Sequence, residues 1–291
     1  MKLNKNQDTK ILIIGLGVIG GGYAAALSEK GYTVKCITKE QDDVNYATEK
    51  GMIVYGTTEV EPELIQEADL IIFALYPTVF IEWVEKYRHL FRKGTIITDV
   101  SGVKSSVVGK IQGMLPDGVE FISAHPMAGR ERSGVEYSDP AVFKGANYIL
   151  TPTEKNTPEA IEVCKELGRE LGFARISELT PEAHDEMIAF LSQLTHCIAG
   201  SLMNCNDTPE LEKYTGDSFR DLTRIAKIND RMWAELFLMN KDALLVQMDS
   251  FIDELQDFRN MIENGESERM REKMRASTAR RALFDKPKTG G

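Results

Sequence analysis

The sequence predicts an α/β unit built on a parallel sheet, followed by an all-α region. Three observations predict it. A glycine-rich turn directly follows an apolar strand near the N-terminus. Short apolar runs then alternate with helical stretches up to about residue 178, as crossover-connected parallel strands require. From Thr180 onward strand-like alternation stops and long helical patterns replace it.

The first element carries the most information. Residues 10–22 read KILIIGLGVIGGG, a continuous apolar run suited to a strand buried on both faces, with Gly15, Gly17 and Gly20 spaced G-x-G-x-x-G. Gly15 permits a tight turn, Gly17 lets backbone approach a pyrophosphate, and Gly20 lets the next helix pack on the strand. The N–H groups and positive dipole end of that helix then face phosphates. This is a Rossmann-type start, with Gly15, Leu16, Gly17, Val18, Ile19 and Gly20 as expected cofactor contacts and Leu75 added from a later strand end.

Strands are expected at 11–14, 33–38, 70–75, 95–99, 119–124, 148–151 and 174–177, with helices between them such as 79–89 and 158–171. Right-handed connections bring the strand ends to one edge, where ligands bind. Helices are then expected at 181–205, 208–214, 218–226 and from 231 to roughly 264. The last exceeds what a compact helical unit buries alone, so it is expected to pack on a partner subunit in a homodimer. The division expected is 1–178, dinucleotide-binding, and 179–291, helical, substrate-binding and dimerising. Residues 286–291 are expected to be disordered.

Composition excludes several classes. With 291 residues and 42% hydrophobic content, the chain can build two real cores. A net charge of −10 argues against nucleic acid as a partner, because phosphate neutralisation needs a basic face. Arg269, Arg271, Lys273, Arg275, Arg280 and Arg281 cluster late in the chain, but interleaved glutamates make that a solvated helix face. Cys36, Cys164, Cys197 and Cys205 show no C-x-x-C spacing and fit reduced thiols. No signal peptide and no run of about 20 apolar residues is visible, so a soluble, cytoplasmic protein without membrane or metal is expected.

The nicotinamide cofactor is read from the end of the second strand. In NAD-binding versions of this fold an acidic residue there bonds the ribose hydroxyls. Here Thr38 and Lys39 occupy the place. A hydroxyl beside an ammonium suits a 2′-phosphate, so NADP is favoured, while Glu40, Asp42 and Asp43 nearby keep NAD open.

Two segments just past strand ends carry candidate chemistry: 99–106, DVSGVKSS, and 123–134, SAHPMAGRERSG. His125 stands out. An imidazole titrates near neutrality and can accept a hydroxyl proton while hydride leaves the same carbon.

On these residues the chain resembles the prephenate/arogenate dehydrogenase family of tyrosine biosynthesis. The likeness runs through GLGVIGGG at 15–22, DVSGVKSS at 99–106, HPMAGRERSGVE at 125–136, VFKGANYILTP at 142–152, HDEMIAFLSQLTH at 184–196, and GDSFRDLTRIA followed by MWAEL at 216–236. It implies oxidative decarboxylation of prephenate or arogenate to 4-hydroxyphenylpyruvate or tyrosine. It further implies that His125 takes the ring-hydroxyl proton, that Ser101 bonds that hydroxyl, the His or the nicotinamide, and that Arg224 grips a substrate carboxylate with its planar fork. His196 matches a position near the substrate. Glu131 is expected to pair with an Arg at the mouth and gate access, and Trp233 to pack its helix with an indole contact to substrate. His184 is read as structural, bonded to a neighbouring carboxylate, and His89 is given no role.

The sequence departs from the family in places. GDSF at 216–219 stands where G-G-G-F is common, and Asn229-Asp230 where D-P is common; Asp217 or Asn229 suits an N-cap. The serine of the 99–106 segment is often one place later, at Gly102. No chorismate mutase or ACT-like segment is read, so tyrosine feedback is expected at the active site. Rival readings are a β-hydroxyacid or imine dehydrogenase of the same architecture, which generally uses a Lys or Asp on a helix of its second domain, and a non-catalytic NAD(P)-binding sensor.

Overall fold

A computed structural model describes residues 3, 9–129, 132 and 134–285. The first half runs β1 (Lys10–Ile14), α1 (Val18–Glu29), β2 (Thr33–Ile37), α2 (Gln41–Glu49), β3 (Tyr55–Thr57), α3 (Pro62–Glu67), β4 (Leu70–Phe73), α4 (Pro77–Tyr87), β5 (Ile96–Asp99), α5 (Ser105–Met114) and β6 (Glu120–Phe121). Among the described residues these strands form a six-stranded parallel sheet in the order β3-β2-β1-β4-β5-β6.

The apolar runs are continuous because both faces are covered. Ile11 and Ile13 join one buried cluster with Tyr23 and Leu27 of α1, while Leu12 and Ile14 join another with Phe80 and Val84 of α4 and Val107 and Ile111 of α5. Successive side chains on a strand point to opposite faces, so one run feeds two cores. The order reverses between β1 and β4, which places a crevice beyond their carboxyl ends.

Three expectations are corrected. β3 was not anticipated; it is a short edge strand beginning at half-exposed Tyr55. The run expected as one strand at 119–124 divides into β6 and β7 (Ser123–Pro126), and β7 leaves the parallel sheet to join β8 (Asn147–Thr151) and β9 (Arg175–Glu178) in a second sheet. There β7 and β8 are antiparallel. The cause is a side chain from the neighbouring strand: Ile122 still donates to the Ile97 carbonyl, but Ser123 Oγ and the Ala124 N–H bond the Asp99 side chain instead of the β5 backbone. Between β8 and β9 runs α6 (Pro158–Leu171), capped by the Thr157 hydroxyl and closed by left-handed Gly172.

The third correction concerns the helices. The span 181–205 is α7 (Pro181–Ile188), a π-helical segment Ala189–Leu194, and α8 (Thr195–Asn204). Only Leu211–Tyr214 forms a 3-10 turn in the span 208–214. Next come α9 (Asp217–Thr223), a 3-10 turn Arg224–Ala226 and α10 (Asp230–Met239). The long helix expected from 231 is interrupted at Asn240 (φ −118°, ψ 27°) and resumes as α11 (Lys241–Glu263). α12 (Ser267–Ala282) follows.

The chain forms two compact units, Met1–Lys241 and Asp242–Gly291. In the second, Arg269 and Lys273 of α12 reach Asp257 of α11 at 2.7 and 2.5 Å, and the hydrogen bond from Lys273 holds the Asp257 carboxyl below its ordinary range. On α11, Leu245, Met248, Ile252, Leu255 and Ile262 recur at heptad spacing, and all but Met248 are largely exposed. Among the described residues no helix is long and apolar enough to cross a membrane. Residues 286–291 lie outside them.

Candidate active site

The glycine loop has the form its spacing predicts. Gly15 has φ +97°, and a Cβ there would lie 2.6 Å from the Ala74 carbonyl and 2.8 Å from Leu75 Cδ2. At Gly20 it would lie 2.1 Å from the Gly15 carbonyl, so α1 sits directly on the turn. At Gly17 it would meet nothing within 4 Å. That open cradle lies at the α1 N-terminus, where no side chain caps the helix, and Val18 and Ile19 are half-buried beside it. The loop therefore fits a dinucleotide pyrophosphate.

The end of β2 differs from expectation in part. The Thr38 hydroxyl accepts the Leu16 N–H at 3.3 Å, so it braces the glycine loop from inside. The Lys39 side chain is 92% exposed and paired with Glu40.

Past β5 and β7 lies a buried polar line. His125 Nδ1 is 2.9 Å from His184 Nε2, and His184 Nδ1 is 2.7 Å from Asp185 Oδ1. The same carboxylate accepts the Lys104 and Ser105 backbone N–H groups at 2.8 Å each, capping α5. Burial raises the Asp185 carboxyl, but the His184 bond and the Ser105 N–H outweigh it and hold the group below its ordinary range. Burial pushes His184 down despite its carboxylate, and pushes His125 well down, with His184 and Lys104 adding to the effect. Both shifts favour the neutral form of the ring. One arrangement satisfies the line: His184 donates from Nδ1 to Asp185, His125 donates from Nδ1 to His184, and His125 Nε2 keeps its lone pair.

A second buried cluster sits alongside. Lys104 Nζ lies 3.3 Å from Asp99, donates to the Ala124 carbonyl at 2.6 Å, and has its pKa lowered by burial. The Ser101 hydroxyl bonds Asp99 at very short range and accepts from Lys104 at 3.4 Å. Ser101 therefore belongs to the Asp99–Lys104 cluster.

α10 closes over these residues. A Cβ at Gly102 would meet Leu236 Cδ1 at 3.5 Å and His125 Cε1 at 3.8 Å, ordinary contacts that leave room for a small side chain. Glu235 accepts the Thr78 N–H at 2.6 Å and Asn229 donates to the Tyr76 hydroxyl at 3.0 Å, pinning α10 to the segment after Leu75. Asn229 is also the α10 N-cap, whereas Asp217 is not a cap. One turn before Leu236, Trp233 stacks on His196 with ring centroids 3.7 Å apart. The exposed Arg224 sits on a turn packed against α8, the helix that carries His196. Glu131 lies outside the described residues.

Sequence reasoning passed over Asp185, Lys104 and Asp99, and gave His184 only its carboxylate bond. The adjacent His184-Asp185 pair was a visible signal; its meeting with His125 was not, because 59 residues separate the two rings.

A family model described as "Prephenate dehydrogenase, nucleotide-binding domain" matches residues 23–177, and "Prephenate dehydrogenase, dimerization domain" matches 180–276. The chain is 31% identical over 275 residues to a prephenate dehydrogenase of Bacillus subtilis, covering 92% of this chain and 74% of the relative. It is 30% identical over 284 residues to a cyclohexadienyl dehydrogenase of Zymomonas mobilis, covering 94% and 95%. Among solved structures, a prephenate dehydrogenase from Aquifex aeolicus in complex with hydroxyphenyl propionate and NAD+ superposes with a TM-score of 0.88 at 28% identity, over 97% of this chain and 100% of that one.

Proposed function

This chain belongs to the prephenate dehydrogenase family, and on that premise we propose that it oxidatively decarboxylates prephenate or arogenate with a nicotinamide dinucleotide as acceptor. The observation that carries the reading is the Asp185–His184–His125 line, which orients the imidazole of a strand-end histidine in a chain whose first strand ends in a glycine loop shaped for a dinucleotide.

When bound, the oxidised nicotinamide supplies the hydride acceptor for the carbinol carbon, while the ring carboxylate leaves as carbon dioxide and the ring becomes aromatic. Gly15, Leu16, Gly17, Val18, Ile19, Gly20 and Leu75 would hold the cofactor. His125 Nε2 takes the proton of the ring hydroxyl, and His184 with Asp185 keeps that nitrogen unprotonated and steadies the imidazolium that forms. Ser101 acts through Asp99 and Lys104, which fix the turn beside His125. Arg224 pairs with a substrate carboxylate, with His196 and Trp233 as neighbouring contacts. The Aquifex aeolicus relative is in complex with hydroxyphenyl propionate, a phenol carrying a carboxylic acid side chain, as the product expected here does.

The finer assignments follow the same chemistry. The ammonium of Lys39 at the end of β2, with no acidic residue at Thr38, favours NADP over NAD. We propose the boundary between a dinucleotide-binding domain, 1–178, and a helical domain, 179–291, at 178/179. The heptad stripe on α11 supports a homodimer through the helical domain.

Nicotinamide reduction followed by absorbance, with prephenate and arogenate each offered NADP+ and NAD+, tests the reading. Turnover of either substrate is the expected result, with the higher kcat/KM for NADP+. Absence of turnover with all four pairs overturns the function, and preference for NAD+ overturns the cofactor assignment alone.

A further inference from the structure

Two buried amides have no part in the chemistry above. Gln193 lies in the π-helical segment and Asn240 at the break between α10 and α11; they are 1% and 7% exposed. A buried amide without partners is costly, so such groups are found bonded. These two are bonded to each other and to the backbones of α7 and α10. Asn240 Nδ2 donates to the Gln193 side-chain oxygen at 2.8 Å and to the backbone carbonyl of Asp185 at 2.9 Å. Gln193 Nε2 donates to the Leu236 carbonyl at 2.9 Å.

Asp185 is thereby held from two sides. Its carboxylate is fixed by the α5 N-terminus and by His184, and its carbonyl accepts both the Ala189 N–H and Asn240. The π segment makes this reachable. An i→i+5 closure adds a residue to the turn, which alters the face on which Gln193 emerges relative to Asp185. Asn240, the C-cap of α10, turns its amide away from its own helix to a carbonyl 55 residues earlier.

We propose that Asn240 is a positioning residue for the proton-accepting line: by fixing the Asp185 main chain it keeps His184 oriented, and so keeps His125 as a single Nδ1–H tautomer with Nε2 free. The inference rests on the reading of His125 as the base. Without the Asn240 bond, the start of α7 can tilt, the His184 to His125 bond lengthens, and the two His125 tautomers become comparable in energy. A base displaced by about an ångström costs up to about a hundredfold in rate.

The test uses the full chain with 15N-labelled histidine, of which it has four. Ring nitrogen shifts at neutral pH report each tautomer without any need for turnover. Wild type is expected to show His125 as one Nδ1–H tautomer, assigned by comparison with His125→Asn. Asn240→Leu and the smaller Asn240→Ala are expected to show a tautomer mixture, with kcat down about tenfold to a hundredfold and KM for the organic substrate within about twofold. Val163→Ala, a core truncation in α6, supplies a destabilised control that keeps the single tautomer. If both Asn240 variants keep the single tautomer and lose only melting temperature, as the control does, the positioning role is overturned. If wild type turns over neither prephenate nor arogenate, the proposed function fails, while the tautomer comparison still decides the role of Asn240.

Discussion

His125 Nδ1 and His184 Nε2 lie 2.9 Å apart, the rings tilted 57° to one another, and burial pulls both imidazoles below their ordinary range. Donation from His125 Nδ1 to His184 leaves His125 Nε2 as the acceptor of that ring. The bond joins a strand of the second sheet to the first helix after that sheet, so it forms only when residues 59 apart in the chain meet.

Replacement of His125 tests the base directly. His125→Asn is expected to lower kcat by about 10²–10⁴-fold while the dissociation constant of the nicotinamide cofactor stays within about twofold. Arg224→Ala is expected instead to weaken substrate binding by about 1.5–3 kcal/mol, read as a rise in KM. Steady-state kinetics with cofactor titration separates the two; near-normal turnover of His125→Asn rules the base assignment out.

Asp185 has two duties and its variant should show both. Asp185→Asn removes the acceptor that fixes the His184 tautomer, so kcat is expected to fall by about 10²–10⁴-fold. It also weakens the cap over the Lys104 and Ser105 N–H groups, at about 0.5–2 kcal/mol of stability. Urea denaturation beside kinetics measures both.

The glycines separate folding from cofactor binding. Gly20→Ala drives a Cβ into the Gly15 carbonyl and is expected to cost about 1–3 kcal/mol of stability. Gly17→Ala meets no protein atom, so its melting temperature should match wild type while cofactor affinity falls. A stable Gly20→Ala that binds cofactor normally would contradict the described turn.

Stability should fall on mild acidification. His125 and His184 have folded pKa values below the ordinary value of about 6.5, so below that pH the unfolded chain binds protons that the folded protein refuses. The stabilisation is present above about pH 6.5 and is lost as pH falls towards the folded values. Urea midpoints between about pH 8 and 5 should show the decline, and His125→Asn should flatten part of it; a wild-type midpoint that holds constant across this window contradicts neutral, buried rings.

The parallel sheet, the glycine turn and α6 were legible in the sequence because each follows from short-range chemistry: a continuous apolar run needs two covered faces, a left-handed turn needs glycine, and a Thr-Pro start and Gly stop define a helix. His125 stood out in the sequence from its place after an apolar run. What only the tertiary structure decided was its company. The departure of β7 from the main sheet depends on Asp99 bonding Ser123 and Ala124 some 24 residues away, and the pairing with His184 on helices folding back over the sheet. Periodicity reports which face of an element is buried. It carries no record of which buried polar group will meet which, because that is fixed by packing between segments distant in the chain.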